Sequence, residues 1–171
     1  GTLVFDANGY ETLNSFSIWN TVSNQLVPWT KVEYTYNANY DITLRIESNW
    51  DTIINQWVYA HKSENTYTAN NDISLNLEYD WDANTGQWKY STNGAKTAYF
   101  YNGSNRLDTT ILYTWDALAN QFKYVRKDVF IYDANNYLVT NLIYGLNAAT
   151  QQWVYSTKYE YTNDNAGNPL T

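Results

Sequence analysis

Tryptophan stands at positions 19, 50, 81 and 115 and leucine at 146, so the intervals are 31, 31, 34 and 31 residues. Leu26, Trp57, Trp88, Phe122 and Trp153 repeat those intervals, as do Phe5, Tyr36, Tyr67, Tyr101 and Tyr132. A fixed period of this length constrains a fold strongly. Each copy is one supersecondary unit that buries its apolar side against its neighbours. The 171 residues read as a single repeat domain of five units, approximately 3–33, 34–64, 65–98, 99–129 and 130–160, with a partial unit 161–171. The three extra residues fall between Trp88 and Tyr101, around Asn93-Gly94.

Each unit reads as two strands and two turns. Ile42-Thr43-Leu44-Arg45-Ile46-Glu47-Ser48-Asn49-Trp50 alternates in period 2, the mark of a half-buried strand. A longer strand is predicted over 57–68, and no stretch keeps a 3.6-residue apolar period. The short turns are Asp6-Ala7-Asn8-Gly9 and its counterparts at 37–40, 68–71, 102–105 and 133–136. Asp or Asn opens most of them and Gly or Asn usually closes them, as a left-handed residue after a type I turn requires. Tyr40 breaks that rule, and strain or a different turn is predicted there. The long turns run Asn20 to Gln25, Asp51 to Gln56, Asp82 to Gln87, Asp116 to Gln121 and Asn147 to Gln152. Gln25, Gln56, Gln87, Gln121 and Gln152 are expected to bond loop backbone or to stack as an amide ladder. Trp19, Trp50, Trp81, Trp115, Trp57, Trp88, Phe122 and Trp153 bracket these turns as cross-strand pairs, a structural role.

The fold class is therefore all-β, an antiparallel meander of about 11 strands. Simple alternation puts Trp57, Tyr59 and Tyr67 on one aromatic face. Lys31/Glu33, Lys62/Glu64 and Lys158/Glu160 fall on an opposite, polar face. The aromatic face needs a cover: a sheet that rolls into a barrel, coils over itself, or stacks on a second copy. The first residues read as half of a long strand and the last as the start of a short one, with no polar cap at either end. Uncapped edge strands are templates for another chain, so end-to-end self-assembly is expected.

Composition removes whole classes of function. Ten Lys+Arg against seventeen Asp+Glu give a net charge of −7, which argues against nucleic acid as a partner. The absence of Cys removes disulfides, thiol catalysis and Cys-ligated metal, and one His (His61) leaves little for acid–base chemistry. No apolar run approaches the roughly 20 residues of a membrane-spanning helix. The chain starts at Gly1 and lacks Met, which reads as a processed or excerpted product. No Walker loop, G-x-S-x-G, G-x-G-x-x-G or H-E-x-x-H is present. Glu33, Glu64 and Glu160 share one repeat position and Glu47 and Glu78 another, a lattice rather than a glycosidase pair. Asp80-Trp81-Asp82-Ala83-Asn84-Thr85-Gly86 and Asn163-Asp164-Asn165 are oxygen-rich, yet Gln87 stands where calcium needs a bidentate carboxylate. No metal, no cofactor and no enzymatic activity are predicted.

Trp29 departs from the turn-bracketing columns. Its counterparts are Ala60, Ser91, Val125 and Ser156, so it is the best single contact residue for a sugar or a neighbouring subunit. Asn102-Gly103-Ser104 is an N-glycosylation sequon, and Thr52, in Asp51-Thr52-Ile53, is a candidate O-glycosylation site.

Phe5-Asp6-Ala7-Asn8-Gly9, Tyr132-Asp133-Ala134-Asn135-Asn136, Trp81-Asp82-Ala83-Asn84 and Gln152-Trp153-Val154-Tyr155 carry a resemblance. The unit resembles tandem β-hairpin repeats of secreted and cell-surface Bacteroidota proteins and, distantly, YD (Rhs-type) repeats. The resemblance implies an extracellular or cell-surface repeat protein in adhesion, display or a fibre, without a catalytic set. The function expected is a structural subunit of a surface fibre or adhesin stalk, partnered by itself. The alternative is a carbohydrate-binding module whose aromatic platforms take glycans.

Overall fold

The computed structural model describes residues 1–92, 94–164 and 169–170. It is all strand and turn: β1 (Thr2–Phe5), β2 (Glu11–Asn20), β3 (Gln25–Tyr36), β4 (Ile42–Asp51), β5 (Gln56–Tyr67), β6 (Ile73–Asp82), β7 (Gln87–Tyr90), β8 (Lys96–Tyr101), β9 (Leu107–Asp116), β10 (Gln121–Tyr132), β11 (Leu138–Leu146), β12 (Trp153–Glu160), β13 (Thr162–Asn163) and β14 (Pro169–Leu170). Twelve strands follow one antiparallel order, β1-β2-β3-β4-β5-β6-β8-β9-β10-β11-β12, with β7 on β6; β13 and β14 pair separately. The order is open, with β1 and β12 at its ends, so the rolled barrel is ruled out among the described residues. The sheet has one strand more than the predicted eleven because the insertion splits one long strand into β7 and β8, and the separate β13 and β14 add two more. Asn93 of that insertion, and Asn165 and Asn168 of the C-terminal fragment, lie outside the described residues.

The chain divides into two compact units, Gly1–Ser91 and Thr92–Thr171. The first holds β1 to β7 and the second β8 to β14. Among the described residues, Val32 and Ala95 are the buried hydrophobic ones, and Ser48 and Asp128 the buried polar ones.

The turn chemistry follows the sequence closely. In the first short turn Gly9 N–H donates to the Asp6 carbonyl, and Asp6 Oδ1 accepts from the N–H groups of Asn8 and Tyr10. Asn37, Asn102 and Asp133 repeat this, and the Thr68 hydroxyl oxygen does the same. Tyr40 adopts the left-handed conformation the turn demands (φ 64°), so the turn is unchanged and the strain is real. Its ring stacks on Tyr10 at 4.0 Å and 6°, which offsets part of that strain. In the long turns Asn24, Asn55, Gly86, Asn120 and Gln151 all sit at positive φ, so Gln151 fills the place usually held by Asn or Gly. The five repeated glutamines instead close each turn through their backbones. Among the described residues their side chains make no hydrogen bond, whereas the Gln151 amide donates to the Ala148 carbonyl.

A second device ties one short turn to the turn before it. The Tyr36 hydroxyl donates to the Glu11 carbonyl at 2.6 Å, Tyr67 to Ile42 at 2.7 Å, and Tyr132 to Leu107 at 2.8 Å. Asn163 occupies the same repeat position, and its amide donates to the Leu138 carbonyl at 2.9 Å. Each acceptor is the first residue of a short strand, so Tyr36, Tyr67, Tyr132 and Asn163 each hook a unit to the one before it. Burial raises the Tyr36, Tyr67 and Tyr132 phenols above their ordinary pKa, keeping them as donors.

The Ile42 carbonyl has two donors, Tyr67 and the Asn65 amide at 3.0 Å. Tyr67→Phe is therefore expected to cost only about 0.5–1 kcal/mol, because Asn65 still caps the carbonyl. The double variant with Asn65→Ala should exceed the sum of the single costs, since it leaves the carbonyl without either donor. Urea midpoints at unchanged m-value check this.

Candidate functional site: the ring face and its lysine column

The site is built by one irregularity repeated in every uninterrupted long strand. Opposite Ser48 stands Tyr59, but opposite Glu47 stands His61, so Ala60 is an extra residue. Trp29, Val125 and Ser156 are extra in the same way. A β-bulge of this kind reverses the alternation of all residues beyond it. Two consequences correct the simple parity reading. Lys31/Glu33, Lys62/Glu64 and Lys158/Glu160 move onto the face of Trp57 and Tyr59. Tyr67, Tyr101, Tyr132 and Tyr161 move to the other. Rings therefore line one face beside the long turns and the opposite face beside the short turns.

On the first of these faces the predicted pairs are present. Trp50 meets Trp57 edge-on at 5.2 Å, Trp81 meets Trp88 at 5.1 Å, and Trp115 meets Phe122 at 4.9 Å. Trp19 opposes Leu26, and Leu146 opposes Trp153. A second row follows: Tyr79 on Tyr90 and Tyr113 on Tyr124, both at 4.9 Å, and Tyr144 on Tyr155 at 6.0 Å. Tyr59 reaches Trp81 at 5.1 Å, and Tyr124 reaches Trp153 at 5.6 Å, linking successive hairpins.

A lysine column crosses these rings. Lys31, Lys62, Lys96, Lys127 and Lys158 keep the repeat intervals, including the 34-residue step. The Lys31 ammonium lies 5.8 Å from the Trp57 ring centre. Lys62 lies 4.0 Å from Tyr79 and 5.6 Å from Trp88, Lys96 4.5 Å from Tyr113 and 5.2 Å from Phe122, Lys127 4.7 Å from Tyr144 and 5.6 Å from Trp153. Each cation thus covers the rings of the following hairpin, the geometry of a cation–π contact. Lys158 differs from the other four. Among the described residues no ring lies under Lys158, whose side chain is 42% exposed against 18% for Lys31 and 16% for Lys62. No lysine covers Trp19 and Leu26, which are 56% and 65% exposed.

Electrostatics reinforces the column. Lys62 pairs with Glu64 at 2.8 Å, and Tyr79 donates to the same carboxylate at 2.9 Å. Burial opposes ionisation of Glu64, but the hydrogen bonds from Lys62 and Tyr79 outweigh it and hold the carboxyl below its usual range. Tyr79 is pushed up by burial and by Glu64. At the third long turn the hydrogen bonds from Lys89, Thr85 and the Asn84 N–H bring Asp82 down to about 2. Those bonds occupy both Asp82 oxygens, so the oxygen-rich stretch 80–86 is turn chemistry. Among the described residues no three His, Cys, Asp or Glu side chains converge to hold a metal.

The remaining candidates scatter. Trp29 is the bulge residue of β3, 56% exposed, on the face opposite Trp57. Beside it on that face stand Phe16 and Ile18, directly opposite Thr30 and Val27, where the next two units carry Glu47, Asn49, Glu78 and Asp80. Thr52 is exposed in a long turn, and the Asn102 side-chain Oδ1 accepts from the Ser104 and Arg106 N–H groups. His61 pairs with Asp80 at 2.8 Å. Sequence reading missed the lysine column because it named three of the five members and lacked the bulge. Its signal was available in the five lysines at repeat spacing.

No family model and no curated protein matches the chain. Solved structures do. The chain aligns over 98% of its length with a crystal structure of TcdB2-TccC3, covering 8% of that chain, at TM-score 0.58 and 12% identity. Against the Photorhabdus luminescens Tc holotoxin pore the values are 99%, 9%, 0.55 and 8%. These likenesses concern the fold: the β-meander occurs as a small part of much longer chains. A Bacteroides fragilis protein of unknown function aligns with 93% of this chain and 88% of its own, at TM-score 0.37 and 16% identity. A Parabacteroides distasonis DUF3836 protein aligns over 64% and 84%, at 0.43 and 14%.

Lys62→Met keeps the aliphatic stem and removes the charge. It is expected to destabilise by about 1–2 kcal/mol in urea unfolding. Glu64 and Asp82 have depressed carboxyls, so their stabilisation is present above the unfolded carboxylate range near pH 4 and is lost as pH falls through the folded-state values. Stability measured from pH 6 to pH 2 should fall, and Lys62→Met should flatten the Glu64 part of that fall.

Proposed function

We propose that this chain is a non-enzymatic structural β-repeat at the cell surface or outside the cell, a subunit of a fibre or stalk that assembles end to end. One observation carries the reading. The lysine-over-ring ladder runs from hairpin to hairpin in a constant register, with Trp19 and Leu26 left exposed and no ring under Lys158 among the described residues. Supporting it, the sheet has open edge strands and, among the described residues, few that are buried. The Tc toxin neighbours share the β-meander and bear on fold alone. The acidic balance of the chain serves solubility.

Light scattering over a range of concentrations tests it. The expected result is a mass that rises with concentration, with linear particles in electron micrographs; a constant monomer mass sinks the assembly.

A second reading, glycan binding, is favoured by the Trp29, Phe16 and Ile18 patch on an otherwise polar face. It expects glycan-array binding that Trp29→Ala removes. Binding indifferent to that change, or none, rejects it.

A further inference from the structure

We propose that residues 92–171 hold a groove for acidic oligosaccharides, chains built from uronic-acid sugars. Phe122 and Tyr124 take the sugar faces, and Lys96 and Lys127 pair with the carboxylates. The groove lies wholly within the second unit and is independent of the assembly reading and of the Trp29 patch.

The strand register opens the groove. β10 pairs with β11 from Arg126 opposite Gly145 onward. Ahead of that point Gln121 to Tyr124 pair with β9, while Leu146 pairs with Trp153 of β12. The tips of hairpins β9–β10 and β11–β12 therefore part, leaving a groove of about 670 Å³. Phe122, Tyr124 and Leu146 line it together with the amides of Gln121 and Gln151. A concave, largely apolar site with a few polar groups is the usual form of a small-ligand site, whereas a lipid surface is flat. Tyr124 is 50% exposed, and its amphipathic ring suits the C–H face of a sugar. The Gln121 amide makes no hydrogen bond among the described residues, so it is placed to serve hydroxyl groups.

Charge selects the acid. Lys31 pairs with Glu33 at 2.7 Å and Lys62 with Glu64 at 2.8 Å. Two residues after Lys96 and Lys127 stand Ala98 and Val129 instead. Among the described residues neither of these two ammonium groups has a carboxylate partner, and a ring contact leaves their donors for one. The carboxylate that the described strands of this unit place on the ring face is Glu160, which Lys158 already holds at 2.6 Å. Lys96 lies over Phe122, one wall of the groove, and Lys127 over Trp153, which meets Tyr124 on the other. The two lysines stand two strands apart, about 10 Å across the sheet. A ligand that reaches both carries its charges on separate residues, as an oligosaccharide does and a single acid does not. Net charge agrees: residues 92–171 hold six Lys/Arg and six Asp/Glu, whereas residues 1–91 hold four and eleven. An acidic chain therefore meets no net repulsion from this unit.

Isothermal titration of the full chain with oligogalacturonate, oligoglucuronate and oligomannuronate tests the groove, each beside its neutral methyl ester. At least one acid is expected to bind, at least about tenfold more tightly than its ester. Ala98→Glu and Val129→Glu restore the pairs of the first unit, so each should keep the fold and weaken acid binding about tenfold. Tyr124→Ala should weaken acid and ester alike; if it fails to fold, the two glutamate variants decide. No binding of any of the three acids at millimolar concentration overturns the proposal, as do equal affinities for acid and ester or indifference to both glutamate variants. Binding lost in Trp29→Ala but kept in the glutamate variants belongs to the Trp29 patch and also overturns it. Oligoglutamate or anionic vesicles binding as tightly as the uronates, with the same dependence on the variants, put a peptide or a lipid in place of the sugar and reject it. None of these results touches the assembly reading, which light scattering decides separately.

Discussion

One extra residue per uninterrupted long strand governs this molecule. With perfect alternation the lysines would point to water, and the rings of both strand halves would share one face. The bulges at Trp29, Ala60, Val125 and Ser156 rotate the second half of each strand by one side-chain step. Lysine then arrives on the ring face one strand away from the next hairpin's aromatic pair. Its stem lies along apolar surface while its ammonium meets ring faces and, at Lys31 and Lys62, a glutamate two residues on. The same rotation turns Tyr36, Tyr67 and Tyr132 to the other face, within reach of the preceding short turn. One irregularity thus produces both of the contacts that connect a hairpin to its neighbours, and each contact uses a different face.

This explains how a sheet with so few buried residues is held together. Isolated two-stranded hairpins are marginal in water, because one cross-strand pair contributes only about 0.2–1 kcal/mol. Here edge-on ring pairs in three hairpins, hooks from Tyr36, Tyr67, Tyr132 and Asn163, and lysines over the rings of the following hairpin add to those pairs. Nearest-neighbour coupling of that sort makes stability grow with the number of units rather than with the thickness of a core. The surface left over is rich in exposed rings, among them Trp19, Trp29, Tyr59, Tyr124 and Tyr155.

Much of this was readable from residues alone. The period, the strand and turn assignments, the left-handed turn positions and the Trp50–Trp57 type of pairing all follow from spacing and side-chain chemistry. The faces did not, because a bulge leaves no mark in a pattern whose period is 2. Ala60, Val125 and Ser156 share no residue type, so nothing in that column announces an unpaired position. Trp29 drew attention for its size, yet its place is set by backbone geometry, and its exposure follows from the bulge. The glutamines show the converse: an invariant residue type within the chain invited a side-chain role, while their described contact is through the backbone closing each turn. The hook column was concealed by chemistry, since Asn163 performs with an amide what its counterparts perform with a phenol.

The insertion indicates which of these features the fold protects. The three extra residues lie after Ser91, the counterpart of the bulge residues, and before Lys96. They enlarge a position where the strand already leaves its regular path, which is the cheapest place in a ladder to add chain. Gly94 takes a positive φ of 81° there, and a Cβ on it would come within 3.2 Å of the Leu112 side chain. Ala95, fully buried, closes the excursion. Beyond it Lys96 stands opposite Tyr113, just as Lys62 stands opposite Tyr79 and Lys127 opposite Tyr144. The 31-residue spacing is broken at this point while the lysine-on-tyrosine register is kept. What the repeat preserves is the cation over the ring, and the length of the unit is free to vary wherever the bulge can absorb the difference.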